Sequence, residues 1–180
     1  MLFLIIGLDQ LTKLLVLERF HLGESISVIL NFFNITYVQN KGAAFGFLAH
    51  ADPAFRVPFF IVVPVIALGS IAFVFRKISE AEVKFSMALS LVISGALGNL
   101  IDRLRLGYVV DFLDFHWQES YHFPAFNVAD SAICIGVGLI LLDLFVAQEE
   151  EIGSSAGKKK SVSSLNSKGK GTQTNASSAS

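Results

Sequence analysis

Three aspartates in the middle and second half of the chain stand beside residues that could make them chemically useful. Asp111 sits in VVDF (Val109 to Phe112), with apolar neighbours on both sides, where an exposed loop acid has no reason to be. Asp130 sits in FNVADSAI (Phe126 to Ile133), three residues after Asn127 on the same helix face and about one turn inside an apolar run. Asp102 sits in GNLIDR (Gly98 to Arg103), with Asn99 and Arg103 within one helical turn of it. Two carboxylates held close in a low-dielectric setting cannot both ionise easily, so one pKa rises and the pair shares a proton. The ionised member can then draw a proton from water while the protonated member serves a carbonyl oxygen or a leaving amine. Peptide hydrolysis becomes possible without a metal, a serine triad or a thiolate.

These residues must be positioned by apolar elements, of which the sequence has four. Val57 to Phe75 carries no charge and approaches the roughly 20 residues that cross a bilayer as a helix. Phe85 to Ile101 is a second uncharged run, and Ala125 to Ala147 a third, interrupted by Asp130 near its start and Asp143 near its end. Leu2 to Leu17 is shorter and contains Asp9 and Lys13; internal charges and the lack of a small-residue cleavage site separate it from a signal peptide. We expect four transmembrane helices. The third and fourth then run in opposite directions, which gathers Asp102, Asp111 and Asp130 at one membrane face. Asp143 lies 13 positions beyond Asp130, about 20 Å along a helix, and belongs to the opposite face as an interfacial anchor.

Composition agrees with a membrane domain. Of 180 residues 53% are hydrophobic and only 16% charged, below the roughly 25% of soluble domains, and the mean hydropathy is +0.60. A net charge of -1 speaks against nucleic acid. The single cysteine, Cys134, excludes an intramolecular disulfide and reads as helix packing, while His21, His50, His116 and His122 show no metal-ligand spacing. Arg76, Lys77 and Lys84 in one loop, with Lys158, Lys159, Lys160, Lys168 and Lys170 in the tail, place both termini on the cytoplasmic side. Between the first two spans, Phe32 to Val38 (FFNITYV) predicts a strand in a small outer-face sheet, and Asn40 to Phe47 (NKGAAFGF) a turn or flap. Residues 1–150 form the membrane domain in this reading. Residues 151–180, rich in Ser, Lys and Gly, form a tail that cannot bury enough surface to fold.

Each buried polar residue also has a plain structural explanation. Asp9 and Lys13 are four apart, acid first, and can neutralise each other within the helix; they can also reach into the site. Asp102 can form an interfacial ion pair with Arg103 or Arg105, and Asp114 reads as a bystander. Among rival functions, a proton-coupled transporter would also use membrane acids. It would need a path across the bilayer and usually internal repeats, whereas here the reactive acids collect at one face and no repeat is visible. A structural assembly subunit would explain Asp102 with Arg103 but not the apolar setting of Asp111.

Taken together, GLDQLTK (Gly7 to Lys13), NKGAAFG (Asn40 to Gly46), GNLIDR, VVDF and FNVADS (Phe126 to Ser131) resemble the five signature blocks of the bacterial lipoprotein signal peptidases, or signal peptidase II. The blocks occur in the family's order. The resemblance implies an intramembrane aspartic endopeptidase that cleaves prolipoproteins just before a cysteine carrying diacylglycerol. It implies catalytic aspartates at Asp111 and Asp130, and site-supporting residues at Asp9, Lys13, Asn40, Asn99, Asp102, Arg103 and Asn127. It further implies residence in the bacterial cytoplasmic (inner) membrane as a multi-pass monomer, with the site near the outer face. Sensitivity to globomycin is implied, and no cofactor or metal. Two features depart from the pattern: few residues precede the GLDQLTK block, and the Lys- and Ser-rich tail after Gly153 has no counterpart.

Overall fold

The computed structural model describes residues 1–42, 48, 51–76, 83–117, 121–146 and 148. Most of the expected flap (residues 43–47), residues 77–82 of the expected cytoplasmic loop and the expected tail from 151 to 180 lie outside the described residues. The chain divides into Met1–Ile140 and Leu141–Ser180; the described part of the second unit is helical.

Helix α1 (Leu2–Arg19) buries Asp9, Lys13 and Val16, spaced i, i+4, i+7 on one face, and packs that face against α3 (Val83–Leu106). It stops where Phe20 turns to extended backbone. Strands β1 (Ser25–Ile29) and β2 (Phe33–Asn40) follow, joined through Asn31 in the left-handed region at φ 61°, a conformation that asparagine tolerates better than most residues. Helix α2 (Pro53–Phe75) begins with the Asp52 carboxylate accepting from the Ala54 amide at 2.7 Å, next to a proline suited to the first turn. Helix α3 ends at Gly107, whose φ of +80° and amide bond to the Arg103 carbonyl (3.1 Å) close the last turn. Strands β3 (Val109–Trp117) and β4 (Tyr121–His122) come next, and α4 spans Val128–Val146.

The four strands form one antiparallel sheet in the order β1-β2-β3-β4. This corrects the expected sheet in two respects. It is not confined to the segment between the first two helices, since half its strands follow α3. VVDF, to which no strand was assigned, is the start of β3. Its first four residues, Val109 to Phe112, are buried on both faces. Val110 and Phe112 enter a core with Val16 and Tyr37, while the intervening Asp111 points the other way. Strands buried on both sides lose the alternation of apolar and polar residues by which a strand is usually recognised.

Among the described helices, α2, α3 and α4 are long and apolar enough to cross a membrane. Helix α1, with Asp9, Lys13, Glu18 and Arg19, does not meet that description. Cys134, expected in packing, is instead exposed on the outside of α4.

Helices α3 and α4 approach through glycines. A methyl group at Gly95 would collide with the Ala129 carbonyl oxygen and the Ile133 side chain, and one at Gly136 with the Ala88 carbonyl and Val92. Gly95→Ala is therefore expected to destabilise the protein by about 1–3 kcal/mol, the usual cost of overpacking. Gly7→Ala meets nothing within 4 Å and should be neutral or mildly stabilising. Thermal unfolding of the two variants in detergent checks the contrast; equal melting temperatures would contradict the packing described.

Candidate active site

Asp111 is 1% exposed and is held by two amides. Asn40 Nδ2 donates to Oδ2 at 2.9 Å and Asn127 Nδ2 donates to Oδ1 at 2.7 Å. The sheet register explains the first contact: Asp111 pairs with Val38, and Asn40 lies two residues further along the same face of β2. Asn127 is fully buried immediately before α4 and also serves Asp130. Its Oδ1 accepts from the Asp130 amide at 2.9 Å, and Asp130 Oδ2 accepts from the Asn127 amide at 3.2 Å. This reciprocal pair is a capping box, satisfying donors that a helix start leaves open. Asp130 Oδ1 accepts from Asn99 Nδ2 at 2.7 Å. One asparagine side chain thus contacts both aspartates, binding the Asp111 carboxylate and the Asp130 amide.

Behind this pair lies a buried ionic layer. Lys13, 1% exposed, directs its ammonium at three acceptors: Asp9 Oδ2 (3.0 Å), Asp102 Oδ2 (2.9 Å) and Asn99 Oδ1 (2.9 Å). An ammonium has three donors, and all three are used. Two carboxylates around one cation leave an excess negative charge, which neutral donors offset. Asp9 Oδ1 accepts from the Ala129 amide at 2.9 Å, Asp102 Oδ2 from the Val110 amide at 3.1 Å, and Asp102 Oδ1 from Gln10 Nε2 at 3.0 Å. The layer ties α1 to α3, to the start of β3 and to the start of α4. A methyl group at Gly98 would run into the Asp9 carboxylate, so glycine there makes room for the layer.

All nine residues expected at the site fall into this neighbourhood. Arg103 donates from Nη2 to the Gly42 carbonyl at 3.1 Å, stacks its guanidinium 5.1 Å from the centre of the Phe60 ring, and interacts electrostatically with Asp130, Asp111 and Asp102. One of the structural explanations offered above is corrected, and the other holds together with its alternative. Asp102 forms its ion pair with Lys13, not with Arg103 or Arg105. Asp9 and Lys13 do pair along their helix, but each also reaches the site's supports, Lys13 at Asn99 and Asp9 at α4. Asp114 lies on β3 opposite Asn34, and Asp143 in the last turns of α4.

Gln10 is the participant that sequence reasoning missed. Its Nε2 lies within hydrogen-bond distance of Asp102 Oδ1, the Gly98 carbonyl (3.2 Å) and Asp9 Oδ2 (3.2 Å), and its Oε1 accepts from Arg105 Nη1 at 3.3 Å. A polar amide in an apolar helix, three residues before Lys13, was the available signal.

The electrostatic consequence concerns Asp111. Burial, and secondly the negative charge of Asp130, push its carboxyl up from 3.8 to about 7, against the lowering effect of the two amides and of Lys13. A carboxyl poised there can hold a proton at neutral pH and release it readily.

Residues 1–146 match the family model described as signal peptidase (SPase) II. The lipoprotein signal peptidase of Geobacter sulfurreducens is 57% identical over 137 residues, covering 76% of this chain and 84% of that protein. That of Syntrophotalea carbinolica is 53% identical over 139 residues, covering 77% and 84%. Among solved structures, a bacterial membrane enzyme determined by the in meso method at 2.3 Å superposes with a TM-score of 0.73. It is 36% identical, over 82% of this chain and 86% of the other.

Proposed function

The chain belongs to the signal peptidase II family, and from that premise we propose that it is an intramembrane aspartic endopeptidase acting on diacylglyceryl-modified prolipoproteins. It removes the signal peptide just before the lipidated cysteine. The observation that carries the reading is the joint hold of Asn127 on Asp111 and Asp130, beside an Asp111 carboxyl raised to about 7.

In the proposed reaction Asp111 begins protonated and Asp130 ionised. Asp130 takes a proton from a water molecule whose oxygen adds to the scissile carbonyl, while Asp111 gives its proton to the carbonyl oxygen. Collapse of the tetrahedral intermediate breaks the C–N bond. The leaving amine takes the proton held by Asp130, and the hydroxyl proton returns to Asp111, so the pair is restored and one water is consumed. Asn40, Asn99 and Asn127 fix the carboxylates, with Asp9, Lys13, Asp102 and Arg103 holding the elements that carry them. Four spans are proposed, α1 among them: its charged residues Asp9 and Lys13 face α3 and its remaining surface is largely apolar, the arrangement by which membrane helices tolerate charge. The protein then lies in the bacterial inner membrane, both termini cytoplasmic and the carboxylates near the outer face, and globomycin should block it.

The test is cleavage of a purified prolipoprotein, with and without its diacylglyceryl group, followed by mass spectrometry across pH. Only the modified substrate should be cut, with the new N-terminus at the lipidated cysteine. Because the active form needs protonated Asp111, kcat/KM should fall about tenfold per pH unit above an apparent pKa near 7. The sign for stability is the same. The raised Asp111 carboxyl favours the folded state fully below 3.8, and that contribution is lost as pH climbs through about 7. Equal cutting of the unmodified protein would refute the substrate, and a rate still rising at pH 9 would refute the role given to Asp111.

A further inference from the structure

Among the residues of α2, all of them described, Phe60 alone is buried. A helix in lipid gains little from burying one ring against a neighbour, because acyl chains are as apolar as a protein interior. What the ring meets is therefore informative, and it meets a cation. The guanidinium of Arg103, on α3, lies over the Phe60 ring, 5.1 Å from its centre. Phe59 stands at 88° to the same ring, with centres 5.2 Å apart, an edge contact that restrains the ring plane. The face of an aromatic ring is negative and attracts a guanidinium, most strongly where water is excluded.

From that guanidinium a continuous path of hydrogen bonds leads to Asp111. Arg103 Nη2 donates to the Gly42 carbonyl at 3.1 Å. The Gly42 amide donates to Asn40 Oδ1 at 3.0 Å, and Asn40 Nδ2 donates to Asp111 Oδ2 at 2.9 Å. Asn40 thus spends its oxygen on Gly42 and its nitrogen on Asp111, so its amide cannot turn over without losing both contacts. Arg103 is also drawn electrostatically to Asp130, Asp111 and Asp102. A guanidinium that closed onto Asp111 or Asp130 would hold that carboxylate in a bidentate pair and take it out of use. The ring face offers it another resting place. We propose that Phe60 is a positioning residue, a role that rests on Asp111 acting in peptide cleavage: its ring holds the Arg103 guanidinium at Gly42 and so fixes Asn40 against Asp111.

The experiment replaces Phe60, in the full chain in detergent, with phenylalanines carrying one, two or three ring fluorines. Fluorine keeps the shape of the ring and weakens its negative face step by step. With diacylglyceryl-modified prolipoprotein as substrate, kcat should fall in step with fluorine count, by about tenfold in all, the order of a desolvated cation–π contact. KM should stay within about twofold, since the interaction lost serves the chemical step. Phe60→Leu should lose as much, yet cost nothing further in an Arg103→Gln background, where the path is already broken. The fluorinated rings decide the matter if Phe60→Leu does not fold. A kcat indifferent to fluorine count, or an equal cost of Phe60→Leu with and without Arg103, would leave only packing and overturn the proposal. A second readout needs no cleavage. In protein labelled with nitrogen-15 arginine, the Arg103 Nε–H resonance, assigned by its loss in Arg103→Lys, should move downfield in Phe60→Leu as the ring current disappears. An unmoved resonance would also overturn the proposal. Wild type that fails to cut prolipoprotein would instead bring down the peptidase reading, and with it the role given to Phe60, even where the Arg103 resonance responds.

Discussion

Asp111→Asn, in protein that remains folded, should cleave diacylglyceryl-modified prolipoprotein about 10²–10⁴-fold more slowly than the wild type, the range that general acid–base catalysis contributes. Asparagine preserves the shape of the side chain, and its carbonyl oxygen can still accept from Asn127 or Asn40. It cannot exchange a proton. Asp130→Asn should lose a similar factor for the complementary reason. It removes the base while its Oδ1 can still accept from the Asn127 amide, so the start of α4 should survive. If the two aspartates act as a unit, the double variant should be little worse than either alone. Single-turnover cleavage followed by gel shift, with circular dichroism to confirm folding, measures all three. Near-normal turnover by Asp111→Asn would break the assignment and direct attention to Asp102, a buried acid that accepts from the Val110 amide at the start of β3.

Lys13→Met is expected to be among the most destabilising single changes in the protein. It keeps much of the side chain's length and removes the one cation between Asp9 and Asp102, which are 0% and 2% exposed. Breaking a buried ion pair from one side costs about 3–5 kcal/mol, because the partner charge is left uncompensated. Here two carboxylates lose their partner together. Asn99 also loses a donor to its Oδ1, so the orientation of the amide that binds Asp130 is less constrained and turnover should fall with stability. Unfolding in mixed detergent is the measurement. A melting temperature equal to that of the wild type would show that the layer contributes nothing. Asp9→Asn/Lys13→Met should recover part of the loss, since it leaves one buried charge where Lys13→Met leaves two.

Much of the site was legible before the structure because membrane chemistry is restrictive. A charge inside an apolar run is costly, so Asp9, Lys13, Asp111 and Asp130 declare themselves by type and setting alone. Antiparallel succession of the last two helices was enough to gather Asp102, Asp111 and Asp130 at one face, and the structure brings all three into the neighbourhood of Asn127 and Lys13. The helices were legible for the same reason: runs of apolar residues need only local sequence to be seen. Family membership followed from five short blocks in order, which report residue types and spacing.

Pairing was decided in three dimensions. Asp102 had plausible partners one and three residues away in Arg103 and Arg105, yet its partner is Lys13 on another helix, because only the packed α1–α3 interface excludes water and makes that pairing decisive. VVDF gave no sign of being a strand, because a strand covered on both faces carries no alternation, and its pairing depends on β2, which precedes it by some seventy residues, as in the Asn40–Asp111 contact. Gln10 looked like one more polar residue until Gly98 and Asp102 were placed beside it. The identities of the charged residues, and the runs that carry them, reside in the sequence, since the energy of burying a charge depends on its immediate setting. Which charge answers which is a property of the tertiary structure, because a hydrogen bond or ion pair between distant segments acquires its strength only when packing has brought them within about 3 Å and removed the water between them.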